Sequence, residues 1–258
     1  NLLTNTDKIP IKNFSNKRKF DFFCIFKIRS YIKKNSINIV HSHLIHSNII
    51  SYFLSKINKN IKTISTRHYG KSTKEHRFIN KFADWCAKKD EKIICISNYV
   101  KNHLLSKGFN ESKLELIYNG IDISLYKDLK IKNIEDNIIG TVGRFDESKG
   151  IDTLIISFKK ILENFPNLKL EIIGKGCQES YYKELVAKLN LEKNVRFLGY
   201  LNPNDVLHHM TRWEIFILPA RWEGLGMVLI EAGFLMLPII ATNVGGIPEI
   251  ITNNVNGF

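Results

Sequence analysis

Two stretches in the second half of the chain combine charge, glycine and a following helical pattern in ways that could do chemistry. In Gly143-Arg144-Phe145-Asp146-Glu147-Ser148-Lys149-Gly150 two cations stand five residues apart, between an apolar run and a helical pattern. Fixed positive charge beside the N–H groups of a helix start suits a diphosphate. By itself this pattern is weak, because a Lys or Arg in a surface loop is ordinarily solvated. The second stretch, Leu218-Pro219-Ala220-Arg221-Trp222-Glu223-Gly224-Leu225-Gly226-Met227, passes from a strand pattern through a Gly-containing loop into a helix that carries Glu231. Glu223 would lie in the loop, where a carboxylate can accept hydrogen bonds from sugar hydroxyls. Gly224 and Gly226 let a ligand approach the backbone closely. The N–H groups near Gly226 and Met227 would face an anion. Glu231 follows by about one turn, roughly 6–8 Å from the helix start, and helical side chains lean back toward that start. That is a plausible reach to a ribose beyond the phosphates. The bland alternative makes Glu231 an ordinary helix carboxylate and Glu223 a cap. Gly174-Lys175-Gly176 is a lone Gly-x-Gly, whose ordinary meaning is a turn.

Alternating strands and helices must position these loops. Strands are expected at 37–40, 62–66, 92–96 and 114–118, with helices at 46–57, 75–89 and 99–107, the last capped by Ser97 or Asn98. A polar stretch then interrupts the pattern and marks a boundary, giving domains 1–126 and 138–258 joined by a linker at 127–137. The second domain resumes with strands at 138–142, 168–173, 195–198, 215–218 and 239–242. Between them lie helices at 151–164, 179–189, from Asn202-Pro203, and 227–235. Such alternation implies parallel sheets, with ligands at the carboxyl ends of the strands.

Composition narrows the partners. The 258 residues are 44% hydrophobic, enough for two ordinary cores. No run approaches the ~18 apolar residues of a membrane span, and the first residues lack the layout of a signal peptide. Cys24, Cys86, Cys95 and Cys177 are scattered without a Cys-x-x-Cys, so reduced thiols are expected rather than a metal site or a disulfide framework. The charge is lopsided. Residues 1–136 hold 26 Lys and Arg against 12 Asp and Glu, whereas residues 137–258 hold 12 against 13. A Lys-, Asn- and Ile-rich composition explains part of the excess but not its confinement to the first half. Nucleic acid, an anionic membrane or a phosphorylated acceptor would each suit a basic face.

Taken jointly, the motifs resemble the retaining family 4 glycosyltransferases. Glu223 and Glu231 match that family's Glu-x7-Glu signature, and Gly143-Arg144…Lys149-Gly150 resembles its phosphate-binding loop. Asn119-Gly120-Ile121-Asp122, Ile172-Ile173-Gly174-Lys175-Gly176, Val195 to Tyr200, Thr242 to Glu249, Val40-His41-Ser42-His43 and Ile94-Cys95-Ile96-Ser97 match in order, so the resemblance spans residues 37–258. It implies an α/β GT-B fold, two Rossmann-like parallel-sheet domains facing across a cleft. By that resemblance both would be incomplete here. The family's first strand and Gly-rich loop would precede residue 1, and a further strand and crossing helix would follow residue 258.

The resemblance also implies roles. Arg144 and Lys149 would hold the diphosphate and stabilise the leaving group, Glu223 would bind the donor sugar, and Glu231 would bind the ribose. Gly224, Leu225, Gly226 and Met227 would line the sugar and phosphate pocket. Gly143 and Gly174 would adjoin the donor, and backbone from Phe197 through Gly199 to Tyr200 would meet the base. His43 would reach the donor sugar, Arg67 and His68 stand as acceptor-side candidates, and His41 and His46 are structural. The implied reaction moves a sugar, with retention, from a UDP- or GDP-sugar to a glycan or lipid-diphosphate acceptor in surface polysaccharide or glycolipid synthesis. No cofactor or metal is expected, because Arg144 and Lys149 can neutralise the diphosphate and no Asp-x-Asp appears. The expected location is cytoplasmic, peripheral at an anionic inner membrane face. A nucleotide-sugar epimerase or phosphorylase on the same fold is one rival. A non-enzymatic nucleic-acid-binding protein is the other, although no nucleic-acid motif or aromatic–basic stacking array is present, so nucleic acid is not an expected partner.

Overall fold

The computed structural model describes residues 11–14, 24–68, 77–126 and 137–258. They form two compact units. One takes the described residues up to Arg67 and on to Ile94, together with Phe109–Glu115. The other takes His68, Cys95–Gly108 and the described residues from Leu116 to Phe258.

The first sheet has the order β1-β2-β3-β4, from β1 (Ile39–His43), β2 (Lys62–Arg67), β3 (Lys92–Cys95) and β4 (Leu114–Leu116). β1 and β2 run parallel, with Ile39 opposite Lys62 and His43 opposite Thr66. Helices α1 (Cys24–Lys34), α2 (Leu44–Ile57), α3 (Arg77–Ala87) and α4 (Asn98–Ser106) accompany these strands. Two departures from the sequence expectation are instructive. α1 was not anticipated, because its lysines mask a stripe in which Cys24, Ile25 and Ile32 are buried. β1 begins and ends later than expected and runs on through the polar His41-Ser42-His43. That is possible because Ser42 donates to Asn48 Oδ1 at 2.7 Å and His41 Nε2 meets Thr66 Oγ1 at 2.7 Å. Polar strand residues whose partners lie in distant segments look like a loop in the sequence alone.

The second sheet is parallel, in the order β7-β6-β5-β8-β9, from β5 (Ile138–Val142), β6 (Lys169–Ile173), β7 (Val195–Gly199), β8 (Ile215–Leu218) and β9 (Ile239–Ala241). Helices α5 (Ile151–Ile161), α6 (Glu179–Lys188), α7 (Pro203–Met210) and α8 (Met227–Phe234) connect them. Successive strand residues point to opposite faces, and both faces here are apolar. Ile138 and Phe216 enter the core shared with Met210, Trp213 and Leu229, whereas Ile139 and Ile217 enter the core shared with Ile155, Phe158 and Tyr182. A sheet covered on both sides leaves its strand ends as the place where loops can converge. Gly140 shows how closely one cover fits, since a Cβ there would lie 2.2 Å from the Trp213 ring.

Among the described residues no helix is long and apolar enough to cross a membrane. The four cysteines are free thiols, three of them buried.

Candidate donor-binding site

The loop that leaves β5 is shaped by its own side chains. Asp146 caps a single 3₁₀ turn at Glu147–Lys149 by accepting from the Ser148 N–H at 3.0 Å. Gly150 then takes a left-handed conformation (φ 61°) and starts α5. A Cβ at Gly150 would sit 2.1 Å from the Pro219 carbonyl oxygen, so the loop after β8 lies directly on this turn. Arg144 is exposed and pairs with Asp146 at 3.0 Å. Lys149 points into the site and pairs with Glu223 at 2.5 Å, each side chain being 17% exposed. The two stretches singled out by sequence therefore meet, through an ion pair between the expected phosphate cation and the expected sugar carboxylate.

The loop of Glu223 is fixed on three sides. Its carboxylate also accepts from the Gly224 N–H at 3.1 Å. The loop after β9 backs it: Gly246 donates its N–H to the Glu223 carbonyl at 3.1 Å, and a Cβ at Gly245 (φ 60°) would come within 2.0 Å of that oxygen. On the other side, the Ser97 hydroxyl donates to the Gly224 carbonyl at 2.6 Å. Ser97, rather than Asn98, is also the cap of α4. The His68 carbonyl closes off Gly224, since a Cβ there would lie 2.1 Å away. Gly226 (φ 90°) then admits the chain to α8, with Leu225 buried and Met227 half-buried at the helix start.

Glu231 lies one turn into α8. Burial pushes its carboxyl pKa up, and it has no hydrogen-bond partner among the described residues. Tyr126 stands nearby, its ring 5.0 Å from that of Phe234; burial, with the Glu231 charge second, raises its phenol to about 12. A carboxylate that is desolvated yet uncommitted is an acceptor waiting for hydroxyl donors. Gly174 (φ 145°) packs on the Gly143 carbonyl, where a Cβ would come within 1.8 Å, and donates its N–H to Gly199 at 2.8 Å. Phe197 packs edge-on to Phe145, whereas Tyr200 is 72% exposed beyond the strand end.

The first unit places its candidates differently. His43 is exposed at the end of β1, where it caps α2 through its backbone and lies 4.5 Å from the His41 ring. His41 has its pKa lowered by burial and then by His43. The residue after His43, Leu44, has φ 70°, a conformation that a branched side chain adopts only under strain. Arg67 is buried, bonds Asp84 at 3.0 Å and stacks over Phe109. Its guanidinium is thus turned to Asp84 and Phe109 within the first unit. Lys33 and Lys34 are exposed at the end of α1, while Lys17, Arg18 and Lys19 lie outside the described residues.

Two further residues were not picked out from the sequence. Glu249 accepts from the N–H groups of Asn98 and Tyr99, both at 2.8 Å, and from the Tyr118 hydroxyl at 2.8 Å. Burial opposes its charge, but these bonds prevail and its pKa is lowered. Arg221 bonds Asp152 at 2.7 Å. Opposite charges 69 positions apart leave no local signal, so only the folded arrangement reveals the pair.

Comparison with known proteins identifies the family and the fold. Residues 125–258 match the family of glycosyl transferases group 1, and residues 4–125 match glycosyltransferase family 4. A glycosyltransferase of Methanocaldococcus jannaschii, itself uncharacterised, is 31% identical over 89% of this chain and 63% of its own length. The gpi3 subunit of the Schizosaccharomyces pombe phosphatidylinositol N-acetylglucosaminyltransferase is 28% identical over 93% of this chain and 53% of its own length. This chain thus spans somewhat more than half the length of such relatives. Anabaena Alr3699/HepE, solved with UDP and glucose, superposes with a TM-score of 0.82 at 22% identity, over 97% of this chain and 72% of that one. With two parallel sheets and such neighbours, the fold is GT-B.

Proposed function

The chain belongs to the group 1 and family 4 glycosyltransferases, and we propose that the whole protein transfers a sugar from a nucleotide-diphosphate sugar, with retention at the anomeric carbon. The observation that carries this reading is the meeting of Lys149 and Glu223 at the carboxyl end of the second sheet, with Arg144 exposed on the same loop as Lys149 and Glu231 one turn into α8. Arg144 and Lys149 hold the diphosphate, Glu223 takes the sugar hydroxyls, and Glu231 takes the ribose. As the anomeric carbon's bond to the diphosphate oxygen breaks, its bond to the acceptor oxygen forms on the same face, and the departing diphosphate takes the acceptor's proton. The two cations offset the growing negative charge, so the reaction runs without a metal.

The acceptor is a glycan or lipid-linked diphosphate, and the basic first half works at the anionic inner face of a membrane. Exposed Lys33 and Lys34 support this, as do the outward-facing Phe78, Phe82 and Trp85 of α3. The structures of Anabaena HepE with UDP and UDP-glucose make UDP-glucose the first donor to try. The deciding experiment mixes the full-length protein with a panel of UDP- and GDP-sugars and follows nucleotide release and binding by calorimetry. Tight binding of one sugar nucleotide, with release that rises when an acceptor lipid is added, is expected. No binding anywhere in the panel would overturn the reading; release without any acceptor dependence would point to a hydrolase, and conversion of the sugar nucleotide without net nucleotide release to an epimerase.

A further inference from the structure

The phosphate loop and the sugar loop come from different strands, so something must set their register. The backbone contacts are few: Arg221 donates its N–H to the Ser148 carbonyl at 2.8 Å, and Trp222 does so at 3.5 Å. The Arg221 guanidinium supplies the rest. One terminal nitrogen donates to the Glu147 carbonyl at 3.0 Å, and the other to Asp152 Oδ2 at 2.7 Å and Thr153 Oγ1 at 3.1 Å. These partners flank Lys149 on both sides, while Arg221 itself stands two residues before Glu223. Gly150 faces Pro219 so closely that no side chain fits between the loops.

We propose that Arg221 is a positioning residue: its guanidinium spans the two loops and holds Lys149 at the distance from Glu223 that the donor requires. This rests on the donor site proposed above and adds a residue to it that touches neither phosphate nor sugar. A planar fork is needed, because a lysine ammonium at the same place could keep Asp152 but could not also span the Glu147 carbonyl and Thr153. The Arg221 and Asp152 side chains are 36% and 19% exposed, so solvent screening leaves the pair little weight in stability. Its effect on the reaction is larger, since a displacement of about 1 Å in a positioned group can cost ~10²-fold in rate.

The test uses the full-length protein with whichever UDP- or GDP-sugar it turns over. Arg221→Ala is expected to lower kcat by about 10–100-fold while affinity for the free nucleoside diphosphate stays within about 3-fold. Arg221→Lys should recover part of the loss. Because Arg221 acts through Lys149, adding Arg221→Ala to Lys149→Ala should cost nothing more. Turnover of Arg221→Ala within about 2-fold of wild type, or losses that multiply in the double variant, would overturn the inference. If Arg221→Ala does not fold, Arg221→Lys carries the test: intermediate turnover supports the role, and unchanged turnover refutes it. A wild-type protein that binds no member of the panel would instead overturn the donor site itself, and this inference with it.

Discussion

Two ion pairs in this molecule have nearly the same chemistry and opposite settings. Arg67–Asp84 joins the end of a strand to a helix inside the first unit, with Phe109 packed over the guanidinium. Lys149–Glu223 joins two loops of the second unit where the strands end. The first pair has Phe109 over its guanidinium, although its side chains, 10% and 19% exposed, are about as accessible as the 17% and 17% of the second. The second can be opened by anything that offers Lys149 a better anion and Glu223 a set of hydroxyl donors. A strand-end cation is thus no guide to function until its neighbours are known: a partner on the next helix makes it structural, and a partner on the next loop leaves it available.

The contrast can be broken most directly at the second pair. In the full-length protein, Lys149→Ala or Arg144→Ala should lower the proposed sugar transfer by ~10²–10³, the usual loss when one preorganised group facing a leaving oxyanion is removed. Steady-state nucleotide release, normalised to folded protein, checks this, and near-normal turnover in both variants would put the phosphate site elsewhere. Arg67→Ala should do the reverse. It leaves Asp84 partly buried without its cation, which should cost about 2–3 kcal/mol in chemical denaturation, with nucleotide affinity unchanged. Intact stability together with lost acceptor-dependent turnover would return Arg67 to the acceptor side.

A third comparison concerns the exposed cations of the first unit. Basic side chains near an anionic lipid surface contribute about 1 kcal/mol each, an attraction that fades as salt shortens the screening length from ~10 Å at 0.1 M to ~3 Å at 1 M. The full-length protein should therefore co-sediment with phosphatidylserine-containing vesicles, come off in high salt, and bind at least about 30-fold more weakly after charge reversal at Lys33 and Lys34. Equal partitioning to neutral vesicles would leave compositional bias as the account of the basic half.

How much of this was legible in the sequence depended on where the informative contacts lie. The strand–helix alternation around Ile138, Ile215 and Met227 was readable because each element carries its own periodicity. The strand at His41-Ser42-His43 was only half readable, because its polar residues are satisfied by Asn48 on the next helix and Thr66 on the neighbouring strand. α1 was hidden by its lysines. At the site, glycines and charges marked both loops, but nothing local could show that Lys149 reaches Glu223, that Arg221 reaches Asp152, or that Arg67 turns inward to Asp84. Tertiary pairing decides those, and it leaves no spacing to count.

The smallest predicted effect carries the same contrast into the carboxylates of the second unit. Glu249 is pinned by backbone N–H groups of Asn98 and Tyr99, and its pKa is lowered despite partial burial; Glu231 is half-buried without such donors, and desolvation raises its pKa. Their linkages to stability have opposite signs. For Glu249, the folded state binds its proton less readily than the unfolded chain. Its contribution is therefore present above the unfolded value of about 4.3 and is lost as pH falls through the lower folded value. For Glu231, ionisation is disfavoured by folding, so a cost builds as pH rises from about 4.3 through the raised folded value and is absent in acid. Glu249→Gln should therefore lower the melting temperature at pH 7, by an amount that shrinks toward pH 3.5. Glu231→Gln should raise it slightly at pH 7, with no difference in acid. Each effect should be about 1 kcal/mol or less. Melting curves between pH 3.5 and 7 would show the two lines diverging with pH. A Glu231→Gln variant that melts lower at pH 7 would mean that Glu231 already serves the fold. Slight stabilisation, joined to weaker nucleotide binding, is what a carboxylate held in reserve for a ligand should show.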